Sequence, residues 1–274
     1  MHVAIVGFGS MGSAIFAGAV GAGTVSAMDV LVVEPDVSRR AGAVRLGAAE
    51  SASGDAIGAW VAERPGAQVL LAVKPQCLAV AAEEIRRGGL AAGTVVTSIL
   101  AGTPSGKVRE ALGGGVRVVR AMPNLPANIG QGCTAICLGA GAEAGDDAVA
   151  MELFHAIGPL TVRLDEDLMD AFTAVAGSGP AYLFYLAEAM ERAATEQGFT
   201  ADQAGVIVRQ TLLGAAMLLA GRSESPQALR AAVTSRGGTT AAAVEVMEAS
   251  GVMGAMSRAI RAARDRGREI AESA

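Results

Sequence analysis

Short runs of β-branched and aliphatic residues constrain the fold of this chain more than any other sequence feature. Continuous apolar runs bounded by glycine or proline are typical of strands buried on both faces of a sheet. The segments between the first runs are long enough for helical crossovers, so the pattern predicts a doubly wound, mostly parallel sheet. The runs are Val3–Val6, Val30–Val33, Val69–Val73, Val95–Ile99, Val116–Val119 and Thr134–Leu138.

A glycine-rich turn follows the first run and precedes an alanine-rich segment. In such a turn the first glycine permits the tight bend, the second lets the backbone approach a pyrophosphate, and the third lets helix and strand pack closely. The helix N-terminus then offers free N–H groups to the phosphates. The turn predicts a dinucleotide site, with a purely structural glycine turn as the alternative. Its residues are Gly7, Phe8, Gly9, Ser10, Met11 and Gly12.

Glu34 ends the second run, where an acidic residue can bind a ribose 2′-hydroxyl. Its charge would repel the 2′-phosphate of NADPH, which favours NADH. Arg39 and Arg40 follow closely and could hold that phosphate if the loop folded back, or could form a solvated first turn of the next helix. The sequence therefore predicts a nicotinamide dinucleotide, with NADH favoured by Glu34 and NADPH left open.

Residues that follow three later runs are further candidates for cofactor binding. In an open α/β sheet, ligands lie beyond the carboxyl ends of the strands. Lys74 could equally be a surface residue in a turn, and the Pro123–Pro126 segment could be a rigid connection. The predicted cofactor-binding residues here are Val73, Lys74, Pro75, Ala101 and Asn124.

From about Asp165 onward the strand pattern disappears and apolar residues recur at helical spacing. Thr200 is a predicted N-cap, with Gln203 at the capping-box position. The following helix, from Ala204 to Ala220, is apolar on almost every face and must be buried on all sides. A C-terminal region of this size can hardly surround it alone, so we expect burial against a second copy of the chain.

Two stretches of small and helix-breaking residues interrupt the helical half, at 176–182 and 233–240. The first contains Pro180, which suits the first turn of a helix. The second places two glycines and two threonines at a predicted helix start, where backbone N–H groups and hydroxyls suit a small carboxylate. A capped helix behind a flexible loop is the alternative for the second stretch.

Composition argues against several other classes of protein. The net charge of −5 is spread along the chain, and the arginine-rich segment 253–272 is interpreted as a solvated helix face, so no nucleic-acid partner is expected. Three cysteines and two histidines assemble no plausible metal site. The uncharged run from Ala121 to Ala142 is broken by prolines and glycines, so no membrane span is expected there. With no signal peptide recognised, we expect a soluble, cytoplasmic protein.

Five motifs, in this order and spacing, resemble the pyrroline-5-carboxylate reductase family: GFGSMG, LAVKPQ, RAMPNLPA, AGSGPAY and VTSRGGTT. The resemblance covers essentially the whole chain, and the last two motifs are specific to the family. It implies a Rossmann-like, doubly wound α/β dinucleotide-binding domain, 1–163, and an all-α substrate and dimerisation domain, 164–274. It also implies a homodimer, often the unit of a larger ring, and hydride transfer from NADH or NADPH to a cyclic imine, giving L-proline in the last step of proline biosynthesis.

The resemblance also implies individual residue roles. Thr240 corresponds to the catalytic threonine whose hydroxyl meets the ring nitrogen, and the residues before it correspond to the loop that holds the substrate carboxylate. Arg236 stands where the family usually has a proline, and Leu125 where a threonine is common. The implied substrate-binding residues are Ser178, Ser235, Gly237, Gly238, Thr239 and Thr240.

Three alternatives of different kinds remain at this point, the third being a structural or scaffolding dimer, whose melting temperature nucleotide would not raise. A related imine or hydroxyacid reductase of the same fold is the first, although hydroxyacids need a lysine or histidine acid–base in the helical half, which contains no lysine. A non-enzymatic nucleotide-binding module is the second, and it would have no use for a separate small-anion pocket.

Overall fold

The computed structural model describes residues 1–273. Its strands form a sheet that follows the order β3-β2-β1-β4-β5-β6-β7-β8. Neighbours pair in parallel except for the antiparallel sixth and seventh strands. Each of the six apolar runs contributes to a strand, and the predicted doubly wound fold is confirmed. The strands are β1 (Val3–Val6), β2 (Val30–Val33), β3 (Ala49–Ser51), β4 (Gln68–Leu71), β5 (Val95–Ser98), β6 (Arg117–Met122), β7 (Cys133–Leu138) and β8 (Leu160–Arg163).

Helices connect the strands. After β8 the described part of the chain contains helices and turns, as the sequence predicts for the C-terminal region. A π-helical turn, Thr173–Gly177, precedes the long helices. The helices are α1 (Ser10–Gly21), α2 (Val37–Arg45), α3 (Ala56–Ala62), α4 (Leu78–Arg87), α5 (Ser105–Ala111), α6 (Ala148–His155), α7 (Met169–Phe172), α8 (Gly179–Glu196), α9 (Ala201–Gly221), α10 (Pro226–Ala232), α11 (Thr239–Ala249) and α12 (Val252–Ser273).

The core consists of two apolar layers, one on each face of the sheet. Because successive strand side chains point to opposite faces, Ile5 packs in the layer that contains Phe154, whereas Val6 packs in the layer that contains Ile85. All four residues of β1 are buried. The loop that follows β1 is therefore carried by a strand that is held from both sides.

The order of the strands places a crevice beside β1. This strand pairs with β2 on one side and with β4 on the other, so the chain reverses direction across the sheet at this point. The loops that leave the carboxyl ends of β1 and β4 therefore diverge, which is where open α/β sheets bind ligands. The turn Gly7–Gly12 follows β1, and Val73 follows β4.

Two edge strands and one strand direction were not predicted from the sequence. The outer strand β3 is short and largely exposed, and β8 at the opposite edge is half-exposed, so neither needs a continuous apolar run. β6 and β7 are joined by only residues 123–132. A parallel crossover needs about a dozen residues or more, so this short connection imposes the antiparallel pairing.

The chain divides into two compact units at a different place from the one expected. One unit, the sheet unit, comprises Met1–Ser178 together with the chain from Ala262 onward. The other, the helical unit, comprises Gly179–Arg261. The sequence places the boundary after residue 163, but Glu166 and Asp170 form ion pairs with Arg120 of β6, which ties this segment to the sheet. The end of α12 also belongs to the sheet unit. Ala274 lies outside the described residues.

Helix α9 begins with the predicted capping box. Thr200 Oγ1 accepts a hydrogen bond from the Gln203 N–H at 3.3 Å, and Gln203 Oε1 accepts one from the Thr200 N–H at 3.0 Å. Within its unit, however, α9 buries Ala204 and Val208 and leaves most other apolar side chains exposed. By length and composition alone it could also cross a bilayer, with 11% of that stretch buried. One copy of the chain therefore does not supply the burial that its composition requires.

Candidate active site

The glycine turn after β1 has the geometry that a dinucleotide requires. Gly7 has a φ of +92°, and a Cβ on this residue would lie 2.8 Å from the carbonyl oxygen of Ala72. A Cβ on Gly12 would lie 2.2 Å from the carbonyl oxygen of Gly7. At Gly9, in contrast, a Cβ would meet nothing within 4 Å. The first and third glycines thus allow the tight turn, and the second leaves open space for a pyrophosphate.

The N-terminus of α1 completes this phosphate cradle. Gly9 is its N-cap and supplies no side-chain hydrogen bond, so the N-cap residue itself does not occupy the N–H groups at the positive end of the helix. Ser10 is exposed at the helix start, and its hydroxyl lies 3.5 Å from Nδ2 of Asn128 in the loop after β6. Phe8 is buried and stacks edge-on against Phe16, with the ring centroids 5.5 Å apart. Its side chain therefore belongs to the core, and its backbone belongs to the turn.

Glu34 lies at the end of β2 with its carboxylate turned toward this turn. It is 8% exposed, its Oε2 accepts a hydrogen bond from the Phe8 N–H at 2.9 Å, and its Oε1 accepts one from the Asp36 N–H at 3.2 Å. A carboxylate has about four lone-pair sites, so both oxygens retain capacity for a ribose hydroxyl. The charge expected from the sequence at this position is therefore present and fixed in place.

The two arginines after Glu34 differ in availability. Arg40 donates to the carbonyl oxygens of Glu34 and Pro35 and forms an ion pair with Glu50, and its side chain is 12% exposed. Arg39 is 57% exposed and lies 4.0 Å from the Glu34 carboxylate. Arg40 is thus held by the protein itself, and Arg39 is the arginine that faces solvent.

Asp36 adds a second carboxylate close to Glu34 and Arg39. Its carboxylate accepts hydrogen bonds from the hydroxyl and the N–H of Ser38, which lower the pKa of Asp36 below its usual value. It also lies 3.5 Å from Arg39. The exposed arginine is therefore shared between two carboxylates.

The ends of β4 and β5 adjoin the glycine turn. A Cβ on Gly7 would lie 2.9 Å from the Val73 nitrogen, which places Val73 directly beside the turn. Lys74 is exposed, and Pro75 begins a short 3₁₀ turn. Ala101 follows β5 in the neighbouring loop. The structure therefore brings these predicted cofactor residues to the same edge of the sheet as Gly7–Gly12, while their contacts with cofactor stay predictions.

Asn124 uses both ends of its side chain within the protein. Its Nδ2 donates to the carbonyl oxygen of Ala176 at 3.1 Å, and its Oδ1 accepts a hydrogen bond from the Cys133 N–H at 2.9 Å. It is 9% exposed. The residue therefore joins the end of β6 to the segment just before Ser178, and a contact with the cofactor stays a prediction.

A buried arginine in the same motif was not assigned from the sequence. Arg120 is 4% exposed, and its guanidinium lies 3.5 Å from Glu166 Oε1 and 3.4 Å from Asp170 Oδ1. Ser105 donates to both oxygens of Glu166, from its N–H at 2.7 Å and from its hydroxyl at 2.6 Å. The sequence did contain a signal for this site, because a charged residue at a buried position of a strand requires oppositely charged or hydrogen-bonding partners.

In the helical unit, the predicted carboxylate-binding loop forms a tight turn ahead of α11. The Gly238 N–H donates to the carbonyl oxygen of Ser235 at 3.0 Å, and Gly237 has a φ of +70°. Arg236 has no positive φ, so the turn is of type II, with Arg236 at its second position. A Cβ on Gly238 would lie 2.4 Å from the Ser235 hydroxyl, so a larger residue there would displace the Ser235 side chain.

The N-terminus of α11 lies directly after this turn. Gly238 is its N-cap and supplies no side-chain hydrogen bond. Thr239 and Thr240 are its first two residues, and Thr240 is half-buried. One short stretch of chain thus carries the Ser235 hydroxyl, backbone N–H groups at a helix N-terminus and two threonines, a composition that suits a small anion. Ser178, the remaining predicted substrate residue, ends the sheet unit, where its N–H donates to the carbonyl oxygen of Thr173 at 2.8 Å.

Neither the cysteines nor any acidic cluster forms a metal site in the described part of the chain. Within residues 1–273 no group of three or more His, Cys, Asp or Glu side chains is placed to hold an ion. Burial raises the pKa of Cys137 to about 11, which keeps this thiol protonated.

Comparison with known proteins gives consistent matches. Residues 166–270 match the family model for pyrroline-5-carboxylate reductase dimerisation. The chain is 35% identical over 270 residues to the pyrroline-5-carboxylate reductase of Synechocystis sp., covering 98% of each protein. It is 33% identical over 274 residues to that of Methanosarcina acetivorans, covering 98% of this chain and 97% of the relative. The structure of a pyrroline-5-carboxylate reductase from Coxiella burnetii matches with a TM-score of 0.87 at 28% identity, covering 98% of each chain.

Proposed function

The chain belongs to the pyrroline-5-carboxylate reductase family, and from that premise we propose that it reduces the cyclic imine 1-pyrroline-5-carboxylate to L-proline. It is an oxidoreductase that acts on a C=N bond with a nicotinamide dinucleotide as cofactor. When bound, the nicotinamide supplies the hydride that the imine carbon accepts.

The observation that carries this function is the turn Ser235–Gly238 at the start of α11. It offers the Ser235 hydroxyl and the N–H groups of Gly237 and Thr239 to a carboxylate, which anchors one end of a very small substrate, while the Gly238 N–H closes the turn onto the Ser235 carbonyl oxygen. No lysine or histidine follows His155 in the chain, so the helical half has no acid–base of the kind that hydroxyacid oxidation needs. An imine with a carboxylate fits this set of groups better than a hydroxyacid does.

Thr240 is the residue we assign to the reacting nitrogen. Its hydroxyl, one residue into α11, donates to or accepts from the ring nitrogen and so orients the C=N bond. Protonation makes the imine carbon more electrophilic, and the loop carries no carboxylate or imidazole that could supply a proton. We therefore assign the proton to the substrate itself or to solvent, with Thr240 as the positioning hydroxyl.

NADH is the cofactor that the charges beside the glycine turn favour. The Glu34 carboxylate is fixed by two backbone N–H groups, so it cannot easily turn away from a 2′-phosphate. Arg40 is already bound to Glu34, Pro35 and Glu50, and Arg39 lies within 4.0 Å of Glu34. A 2′-phosphate would therefore meet two carboxylates and one exposed arginine, whereas a 2′-hydroxyl could donate to Glu34.

Oligomerisation follows from the dimerisation segment, and we assign the homodimer interface to the C-terminal helices. A second copy, rather than a bilayer, is the partner that α9 requires, because the helix also carries Asp202 and Arg209. Assembly of dimers into a ring and a cytoplasmic location remain predictions. The exposed apolar side chains that support the interface include Phe184, Tyr185, Val206, Leu213, Met217 and Leu218.

The experiment that tests this function follows the loss of NADH or NADPH absorbance with 1-pyrroline-5-carboxylate as substrate. We expect turnover, with a higher kcat/KM for NADH than for NADPH. Binding of both cofactors without turnover would overturn the reaction and point to a different imine. A protein that binds nucleotide but reduces no imine would be a non-enzymatic module.

A further inference from the structure

We propose that the end of α12 positions the loop after β5 for cofactor binding, with Ile270 as the positioning residue. The inference rests on the proposed cofactor site, because this loop contains Ala101. It concerns residues of the sheet unit, to which the chain from Ala262 onward belongs.

The loop after β5 has weak internal hydrogen bonding. The last bond to its neighbouring strand runs from the Ile99 N–H to the Leu71 carbonyl oxygen at 3.0 Å. Beyond it, the bonds within the loop are long: Leu100 N–H to Ser98 Oγ, Thr103 N–H to the Leu100 carbonyl and Thr103 Oγ1 to the Ala101 carbonyl are each 3.4 Å. Such distances lie at the weak end of the range, so packing must hold the loop.

Ile270 supplies that packing at Gly102. A Cβ on Gly102 would lie 2.9 Å from Ile270 Cγ2 and 3.2 Å from the Gly267 carbonyl oxygen. Gly102 has a φ of +64°, so it takes a conformation that other residues rarely adopt and leaves room for the helix to approach. The residue next to Ala101 is therefore pressed directly against α12.

The same turn of α12 also forms a hydrogen bond with α5, the helix that follows the loop. Lys107, in the first turns of α5, donates a hydrogen bond from Nζ to the carbonyl oxygen of Ala271. Ile270 also lines, together with Pro75 and Thr103, a cleft of about 670 Å³ beside the loops after β4 and β5. One side chain thus borders both loops that carry predicted cofactor residues.

A third contact of α12 lies next to the ion pairs of Arg120. A Cβ on Gly267 would lie 3.6 Å from Asp170 Oδ1, so α12 passes close to the carboxylate that pairs with Arg120. Arg120 precedes Met122 and Asn124 on the way out of β6. The helix end therefore packs beside the ion pair of Asp170 with the buried Arg120 as well as against the loop after β5.

The test compares Ile270→Ala with Ile270→Val and, as a control, Arg266→Ala, which removes an exposed ion pair with Glu269 on the same helix. The equilibrium Kd for NADH is measured by fluorescence in the absence of imine. For each variant, the KM for the imine, the kcat and the melting temperature are measured as well. We expect Ile270→Ala to weaken NADH binding about threefold to tenfold. The KM for the imine should stay unchanged, Ile270→Val should restore most of the affinity, and Arg266→Ala should match the wild type.

A lowered melting temperature with an unchanged Kd for NADH would overturn the inference and leave α12 a merely stabilising element. Lys107→Met offers a second variant, in which loss of the hydrogen bond to Ala271 should weaken NADH binding in the same direction. Binding of NADH by a wild-type protein that reduces no imine would overturn the reaction alone, because the Kd still reports on Ile270. Absence of any nicotinamide binding would overturn both.

Discussion

The carboxylate of Glu34 and the N–H of Phe8 are joined by a buried hydrogen bond of 2.9 Å. Phe8 is the residue between the first two glycines of the turn, so the acidic side chain that we propose as the ribose partner also holds the turn in shape. Hydrogen bonds to an ionised acceptor are stronger than neutral ones. If Glu34 sets the cofactor preference as proposed, cofactor choice and turn geometry are linked through one side chain.

Glu34→Gln is expected to narrow the preference for NADH over NADPH about tenfold, equivalent to roughly 1.4 kcal/mol. The amide removes the charge that repels a 2′-phosphate, while its oxygen can still accept from the Phe8 N–H. The measurement is the ratio of kcat/KM for the two cofactors, with Glu63→Gln, an exposed carboxylate paired with Arg64, as a control for charge elsewhere. An unchanged ratio would show that Glu34 does not set the preference.

Thr240→Ala is expected to lower kcat/KM for the imine about 10–100-fold with little change in the Kd for NADH. The reason is that the hydroxyl is proposed to orient the ring nitrogen of the imine and not to contact the cofactor. Thr240→Ser keeps the hydroxyl and should retain most of the activity. Steady-state kinetics and cofactor fluorescence separate the two effects. Wild-type turnover by the alanine variant would remove Thr240 from the mechanism.

Arg236→Pro is expected to stabilise the protein by about 0.4–1 kcal/mol, because proline suits the second position of a type II turn. It should also raise KM for the imine, since a positive charge beside the carboxylate-binding groups is lost. Arg236→Gln separates the effect of the charge from the effect of backbone rigidity, because it removes the charge without restricting φ. Calorimetry and KM at low and high salt are the measurements, and a KM independent of salt would argue against a role for the charge.

Met217→Glu is expected to weaken the homodimer, because a carboxylate would be buried at the interface that α9 is proposed to form. Met217 is 66% exposed in the single chain, so the substitution should not disturb the fold of one copy. Mass by sedimentation is the measurement, with Met217→Leu as the control. A wild-type protein that is monomeric, or that floats with liposomes, would contradict the proposed interface.

The thiols are expected to differ sharply in reactivity. Cys77 is exposed, whereas Cys137 is buried and its pKa is raised to about 11. Because the thiolate is the reactive form, a thiol-specific reagent at about pH 8 should label Cys77 in the native protein and Cys137 only after unfolding. Mass spectrometry of labelled peptides checks the sites, with Cys77→Ser as the control. Rapid native labelling of Cys137 would contradict its burial.

Local patterns in the sequence were sufficient for much of the fold, and they also supplied the residues of the candidate site, whose contacts with cofactor and substrate stay predictions. Apolar runs predicted the central strands because a strand buried on both faces leaves a continuous signature. The glycine turn and the capping box of α9 were predictable because their partners lie within a few residues. The edge strands escaped prediction because pairing on one side demands little of their composition.

Tertiary structure alone decided which charged groups are free and which are already used. Arg40 is occupied by Glu50, Arg120 by Glu166 and Asp170, and these partners are remote in sequence. The contact of Ile270 with Gly102 likewise joins the end of the chain to a loop near its middle. A periodic pattern reports the environment that a residue needs, but it does not name the distant residue that supplies it, because only the folded chain brings the two together.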